Sequence, residues 1–198
     1  MILPYAVAVL AALWLASLGF GTGSLDYAAL NALSVSNHPE LSGAVILVTA
    51  LGGWEVLAIV TVISAALLAL QRRFAAAGLL LVVTLSGRVL VELQKWAFGR
   101  SRPEEPLRLL EIDSHAFPSG HAANSTITYL TVAVLLLAAG SRRQFAVIAA
   151  VALSLAIGAS RIALGVHWPT DVVAGWCFGL LWTGTALMIA RRTGLLSG

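Results

Sequence analysis

The sequence predicts an all-α fold: a polytopic membrane protein built as a six-transmembrane-helix bundle. Three observations carry that prediction. Hydrophobic residues make up 59% of the 198-residue chain and charged residues 11%, with a mean hydropathy of +0.92, whereas a soluble domain carries about a quarter charged residues. The apolar runs are about 17–25 residues long, the length that crosses a ~30 Å hydrocarbon core at ~1.5 Å per residue. Three arginine pairs, Arg72-Arg73, Arg142-Arg143 and Arg191-Arg192, follow the second, fourth and sixth of those runs, as expected for the ends of helices on one side of a membrane.

The runs place helices near 2–20, 54–71, 74–98, 120–140, 144–165 and 170–190. The first lacks a basic leader beyond the amino terminus and is followed by five more, so it reads as a retained anchor rather than a secretion signal. Residues 24–51 are less regularly polar or apolar. They read as interfacial or re-entrant structure on the outer face, placed to shape a lipid entrance. Gly52-Gly53 separates them from the second helix, in whose first turn Glu55 suits the helix dipole. On the third helix, Arg88, Glu92 and Lys95 share one face, and an Arg88–Glu92 ion pair is the expected arrangement. Six such helices use most of the chain, which reads as one domain, 1–198, without an internal repeat.

The positive-inside rule puts the arginine pairs and both termini in the cytoplasm, in a cell inner membrane. Trp54, Trp96 and Trp168 fall near the opposite helix ends, as an interfacial aromatic belt would. The net charge of +3 therefore mainly reports topology. No basic face for nucleic acid is present beyond these pairs and the polar clusters. The single cysteine, Cys177, lies inside the sixth helix and reads as a packing residue.

Three polar clusters interrupt this apolar background: Lys95-x6-Arg102-Pro103, Pro118-Ser119-Gly120-His121, and Ser160-Arg161-x5-His167-x3-Asp171. Charged groups within a membrane are expensive, so their placement calls for a reason. Counted from the arginine pairs, Lys95 lies ~33 Å, Asp171 ~30 Å, His121 ~32 Å and Arg161 ~27 Å along their helices. All four reach the same, outer interface, from four different helices, and so form one site facing the periplasm or cell exterior.

Lys95, Arg102 and Arg161, with Arg100 and Arg108 near by, supply cations suited to phosphate. Pro118-Ser119-Gly120-His121 reads as a helix start, with Ser119 at the N-cap and Gly120 leaving the backbone amides open to an anion. Pro169 favours the first turn of the sixth helix. There Asp171 can reach back to one nitrogen of His167 and leave the other free to attack, the nucleophile-and-orienter arrangement of covalent catalysis. His121 is then placed to protonate the departing oxygen.

These motifs resemble, at every position, those of the type-2 phosphatidic acid phosphatase family, the lipid phosphate phosphatases related to vanadium haloperoxidases, and the compact chain resembles the bacterial membrane branch. The resemblance implies a phosphohistidine intermediate on His167, protonation of the leaving group by His121, and phosphate held by Lys95, Arg102, Ser119, Gly120 and Arg161, without a metal or other cofactor. It implies a lipid phosphate substrate approached from the bilayer. Undecaprenyl pyrophosphate and phosphatidylglycerophosphate lead, with phosphatidic acid and lipid A phosphates behind. Arg88 then has a second candidate role, contact with another phosphate or polar part of the headgroup. A non-catalytic phospholipid binder or transporter component is the alternative. His38 and His115 match no motif. The acidic residues around His115 (Glu104, Glu105, Glu111 and Asp113) are too irregularly spaced for a metal site and read as a solvated loop.

Overall fold

A computed structural model describes residues 2–19, 22–36, 38–104, 108–110 and 112–196. Among them are eight α-helices and no strand: α1 (Ile2–Gly19), α2 (Ser24–Leu33), α3 (Pro39–Ala50), α4 (Trp54–Leu70), α5 (Phe74–Phe98), α6 (Gly120–Leu136), α7 (Ser141–Ala163) and α8 (Pro169–Arg192). Each expected helix is present, the third with the expected bounds. The first ends at Gly19, and the expected last residue, Phe20, lies outside the described residues.

Residues 24–51 are mostly helical. α2 turns away from α1 by 97°, and Pro39 at the N1/N2 position opens α3, where a missing amide hydrogen has no intrahelical partner to lose. The Leu51-Gly52-Gly53 break before α4 is present as expected. Two boundaries differ at the arginine pairs. α6 stops at Leu136, and Gly140 (φ 144°) turns the chain into α7 at Ser141. The apolar residues 137–140 form that turn, while Arg142, exposed, and Arg143, half-buried, sit on the first turn of α7 rather than in a loop. Arg191 and Arg192 fall in the last turn of α8, where the dipole favours cations.

Length and apolarity alone bear out part of the expected six crossings. Four segments are long and apolar enough by themselves: Glu40–Leu70 (α3 and α4 together, 31 residues), α5, α7 and α8. The bent pair Tyr5–Gly19 and Ser24–Leu33 brings the number to five. α6, at 17 residues, is shorter, because the apolar residues 137–140 belong to the turn.

α6 is nevertheless the centre of the bundle, packed against α4, α5, α7 and α8. Its buried face carries Ser125, Thr126, Thr128 and Thr131; Ser125, Thr126 and Thr131 return hydrogen bonds to their own helix, as Thr126 Oγ1 does to the Ala122 carbonyl at 2.7 Å. Close approach of α6 and α8 depends on Gly175 and Gly179, one turn apart. A Cβ at Gly175 would lie 2.7 Å from the Ser119 carbonyl oxygen, and one at Gly179 2.9 Å from that of Ala123. Small residues at such spacing let membrane helices touch backbone to backbone. Gly175→Val is therefore expected to lower the thermal midpoint in detergent and to reduce activity with it, since the displaced backbone is the start of the site helix. A midpoint unchanged from the parent would contradict this packing.

Of the three tryptophans expected in an interfacial belt, Trp54 and Trp96 are 59% and 82% exposed. Trp168 is not part of such a belt. It is 3% exposed, donates from Nε1 to the Ser101 carbonyl at 2.9 Å and meets the Tyr27 ring edge-on at 4.9 Å. Packing of α2 over the start of α8 buries it. Cys177 is buried and free, as expected.

Candidate active site

The polar clusters converge where the 99–119 loop, the start of α6, the end of α7 and the 164–168 turn meet. Arg102 is the organiser. Its Nε donates to the Ser114 carbonyl (2.7 Å), Nη2 to Ser114 Oγ (3.1 Å) and the His115 carbonyl (3.3 Å), and Nη1 to the Val166 carbonyl (2.6 Å). The same Nη1 lies 3.1 Å from His167 Nε2. A guanidinium has only donors, so this contact makes Nε2 the acceptor and puts the imidazole proton on Nδ1. Burial pulls Arg102 down to about 10, Asp171 and Arg108 acting in opposite directions after it, and it remains a cation at neutral pH.

His167 is 1% exposed. Burial first, then the positive charges of Arg102, Arg161 and Lys95, with His121, hold its pKa well below the usual histidine range, so the ring is neutral. Two arginines, a lysine and the second histidine thus act on its charge, and Arg102 touches its unprotonated nitrogen. Nδ1 faces Asp171 Oδ2 at 3.4 Å, longer than an ordinary N–H···O bond. That oxygen already accepts the Trp168 backbone N–H at 2.9 Å. The carboxylate thus fixes the turn carrying His167 and lies beside its ring.

Asp171 is fully buried, and its second oxygen explains how it stays there. Arg100 Nη1 donates to Oδ1 at 2.7 Å and to Thr170 Oγ1 at 3.1 Å. Nη2 donates to the Ser17 (2.8 Å) and Leu18 (3.2 Å) carbonyls at the end of α1, and the guanidinium lies 4.5 Å from the Phe117 ring centroid. Asp26, 1% exposed, accepts from the Thr170 amide (3.0 Å), from Thr170 Oγ1 (2.6 Å) and from the Thr22 amide (2.8 Å). Arg100 and Asp26 together anchor the first turn of α8 to α1 and α2.

The start of α6 fits an anion. Ser119 occupies the N-cap position, but its side chain does not cap the helix. Its amide donates to the Asp171 carbonyl at 2.9 Å, and its Oγ is buried without any partner. Its carbonyl accepts the Ala123 amide at 3.0 Å, while the amides of Gly120 and His121 have no acceptor among the described residues. Lys95 Nζ approaches Gly120 so closely that a Cβ there would lie 3.5 Å from it. Lys95 also pairs with Glu92 at 3.4 Å. Arg161, 3% exposed, donates from Nη1 to Thr49 Oγ1 at 2.9 Å and keeps a buried Nε with no acceptor. Unsatisfied buried donors of this kind call for a partner, and a phosphate oxygen supplies one.

Every expected site residue is thus placed around one point, with Ser160 of the same motif directed elsewhere, to the Ile157 carbonyl at 2.6 Å. Asp26 and Thr49 escaped the sequence reading, and Arg100, read as a cation near the phosphate, is turned to Asp171 instead. Arg100 and Asp26 carried a signal, being charges in apolar surroundings. The expected Arg88–Glu92 pair is absent, because Glu92 turns to Lys95 instead. Among the described residues no three of His, Cys, Asp and Glu gather as a metal site would need. Glu105 and Glu111 of the acidic loop lie outside the described residues. His38 is exposed beside Glu40 (3.3 Å).

Comparison with known proteins agrees with this geometry. Over 162 residues the chain is 31% identical to phosphatidylglycerophosphatase B of Bacillus subtilis, covering 80% of this chain and 79% of that protein. It is 34% identical over 120 residues to an undecaprenyl-diphosphatase of Sulfolobus acidocaldarius, covering 58% of this chain and 55% of that one. The crystal structure of a transmembrane PAP2 type phosphatidylglycerolphosphate phosphatase from Bacillus subtilis superposes with a TM-score of 0.87 at 27% identity, over 95% of this chain and 97% of that one. The family profile described as PAP2 superfamily matches residues 75–194, the span that holds all three polar clusters, and the chain belongs to the PAP2 superfamily.

Proposed function

We propose that this protein is an integral membrane lipid phosphatase that removes a terminal phosphate from a lipid phosphate or diphosphate through a phosphohistidine intermediate. The observation that carries the reading is the buried His167, its Nε2 lone pair held 3.1 Å from Arg102, in a site where Ser119 Oγ and Arg161 Nε are buried without a partner. An arriving phosphate takes the Arg102 contact, together with Lys95, Arg161, Ser119 Oγ and the α6 amides near Gly120. These groups offset charge on its oxygens as the P–O bond loosens. Nε2 attacks phosphorus while Asp171 lies beside the proton on Nδ1, and His121 gives a proton to the departing lipid oxygen. Water then releases phosphate from His167 by the reverse proton path.

The charge-neutralising work falls to side chains and amides, and the reaction is proposed to be metal-independent. The single domain is proposed to cross the membrane six times, with α1 and the short α6 completing the crossings. The arginine pairs and termini face the cytoplasm, and the site faces the periplasm or exterior of the inner membrane. Phosphatidylglycerophosphate and undecaprenyl diphosphate are the favoured substrates, as the relatives' names suggest. The testing experiment is phosphate release from both lipids in detergent with excess chelator. Release at the rate seen without chelator is expected. Loss of activity on chelation, restored by Mg²⁺, or no release from any lipid phosphate, would contradict the reading.

A further inference from the structure

Below the active site, on the same faces of α5 and α6, lies a groove of about 540 Å³ between α4, α5 and α6. Apolar side chains make most of its walls, and beside three threonines it holds one charged side chain and one amide. Arg88 is exposed in it and lies 5.9 Å from the Trp54 ring centroid. Among the described residues its guanidinium has no ion pair and no hydrogen bond: Glu92 is taken by Lys95, and Glu55, next to Trp54 on α4, makes no pair with it. Asn124 presents a buried Oδ1 with no donor. An unpaired cation at this depth is costly to keep, and so is an orphaned buried carbonyl.

Helical spacing ties both groups to the catalytic site. Arg88 is seven residues before Lys95, about two turns or ~10 Å along the same face of α5. Asn124 is three residues beyond His121, ~4.5 Å along α6. A lipid whose terminal phosphate sits at His167 and whose tails leave along this groove therefore passes an acceptor first and a cation second.

We propose that Arg88 and Asn124 form a headgroup subsite for a phospholipid whose terminal phosphate is joined through a hydroxylated glycerol to an inner phosphodiester. The inference rests on the lipid phosphatase reading above and names the substrate that this site selects. Asn124 Oδ1 accepts the glycerol hydroxyl, and Arg88 pairs with the phosphodiester. The chemistry of phosphatidylglycerophosphate matches that order of groups. In a polyprenyl diphosphate the two phosphates share one bridging oxygen, so the second stays with Lys95 and cannot reach a cation two turns away. It also has no hydroxyl between phosphate and tail.

The test compares kcat/KM of the parent, Arg88→Gln, Arg88→Lys and Asn124→Leu on phosphatidylglycerophosphate and on undecaprenyl diphosphate in the same micelles. Loss of a charge-assisted contact is expected to lower kcat/KM of Arg88→Gln on phosphatidylglycerophosphate by about 10- to 100-fold, with undecaprenyl diphosphate hydrolysis within about twofold of the parent. Arg88→Lys should recover part of the loss, and Asn124→Leu should show the same selectivity at smaller size. The undecaprenyl diphosphate rate also reports that each variant is folded. Equal losses on both lipids, or none on either, would overturn the subsite while leaving the phosphatase reading intact. A parent inactive on both lipids would overturn the phosphatase reading and the subsite with it.

Discussion

His167→Ala is expected to lower kcat on any lipid phosphate by on the order of 10⁴-fold or more, because it removes the proposed nucleophile. The phosphate cage survives the change, so lipid binding should persist. The contrast with His121→Ala is more informative than either loss alone. On the proposed mechanism His121 acts only on the leaving oxygen, so its variant should recover as the leaving group improves. A nitrophenyl phosphate, whose phenolate departs with little protonation, should narrow the His121→Ala defect and leave the His167→Ala defect undiminished. Equal recovery of both variants would mean that the two roles are wrongly divided.

The second large effect is expected at Arg100, a residue that the family motif leaves as a spacer. Among the described residues its guanidinium is the sole side-chain cation on Asp171 Oδ1, at 2.7 Å, with side-chain exposures of 12% and 0%. Removing one partner of such a buried pair costs about 3–5 kcal/mol, because the other charge is left without compensation. Arg100→Ala should therefore lower the thermal midpoint in detergent. It should also reduce kcat by about 100-fold through loss of alignment of the His167 turn. KM should change little, since Arg100 is a positioning residue whose contacts are to Asp171, Thr170 and the end of α1. Arg100→Lys keeps the charge but not the fork to Ser17 and Leu18, so it should restore part of kcat. A loss confined to KM, or a kcat equal to the parent's, would contradict the assignment.

The comparison of sequence and structure has a physical pattern. Helices α4, α5 and α8 were legible because apolar runs bounded by glycine, proline or arginine pairs mark both ends. The end of α6 was not, because a four-residue apolar turn reads as more helix. The three polar clusters were legible because motif spacing marks them without knowledge of packing. Arg100, Asp26 and Thr49 depend instead on contacts over long sequence distances, from the 99–119 loop to α1 and α8, from α2 to α8 and from α3 to α7. No local period encodes such contacts. Glu92 had two cationic neighbours at helical spacing. The choice of Lys95 over Arg88 followed from Arg88 facing Trp54 of α4, which is again a tertiary fact.

Rapid quench of the purified protein with phosphorus-labelled lipid phosphate, in excess chelator, tests the central claim most directly. The account predicts a base-stable, acid-labile phosphoryl adduct that maps to His167, forms in the His121→Ala protein with an activated substrate, and is absent from His167→Ala. Turnover by the parent with no trapped adduct at any quench time, or an adduct that persists in His167→Ala, would contradict it.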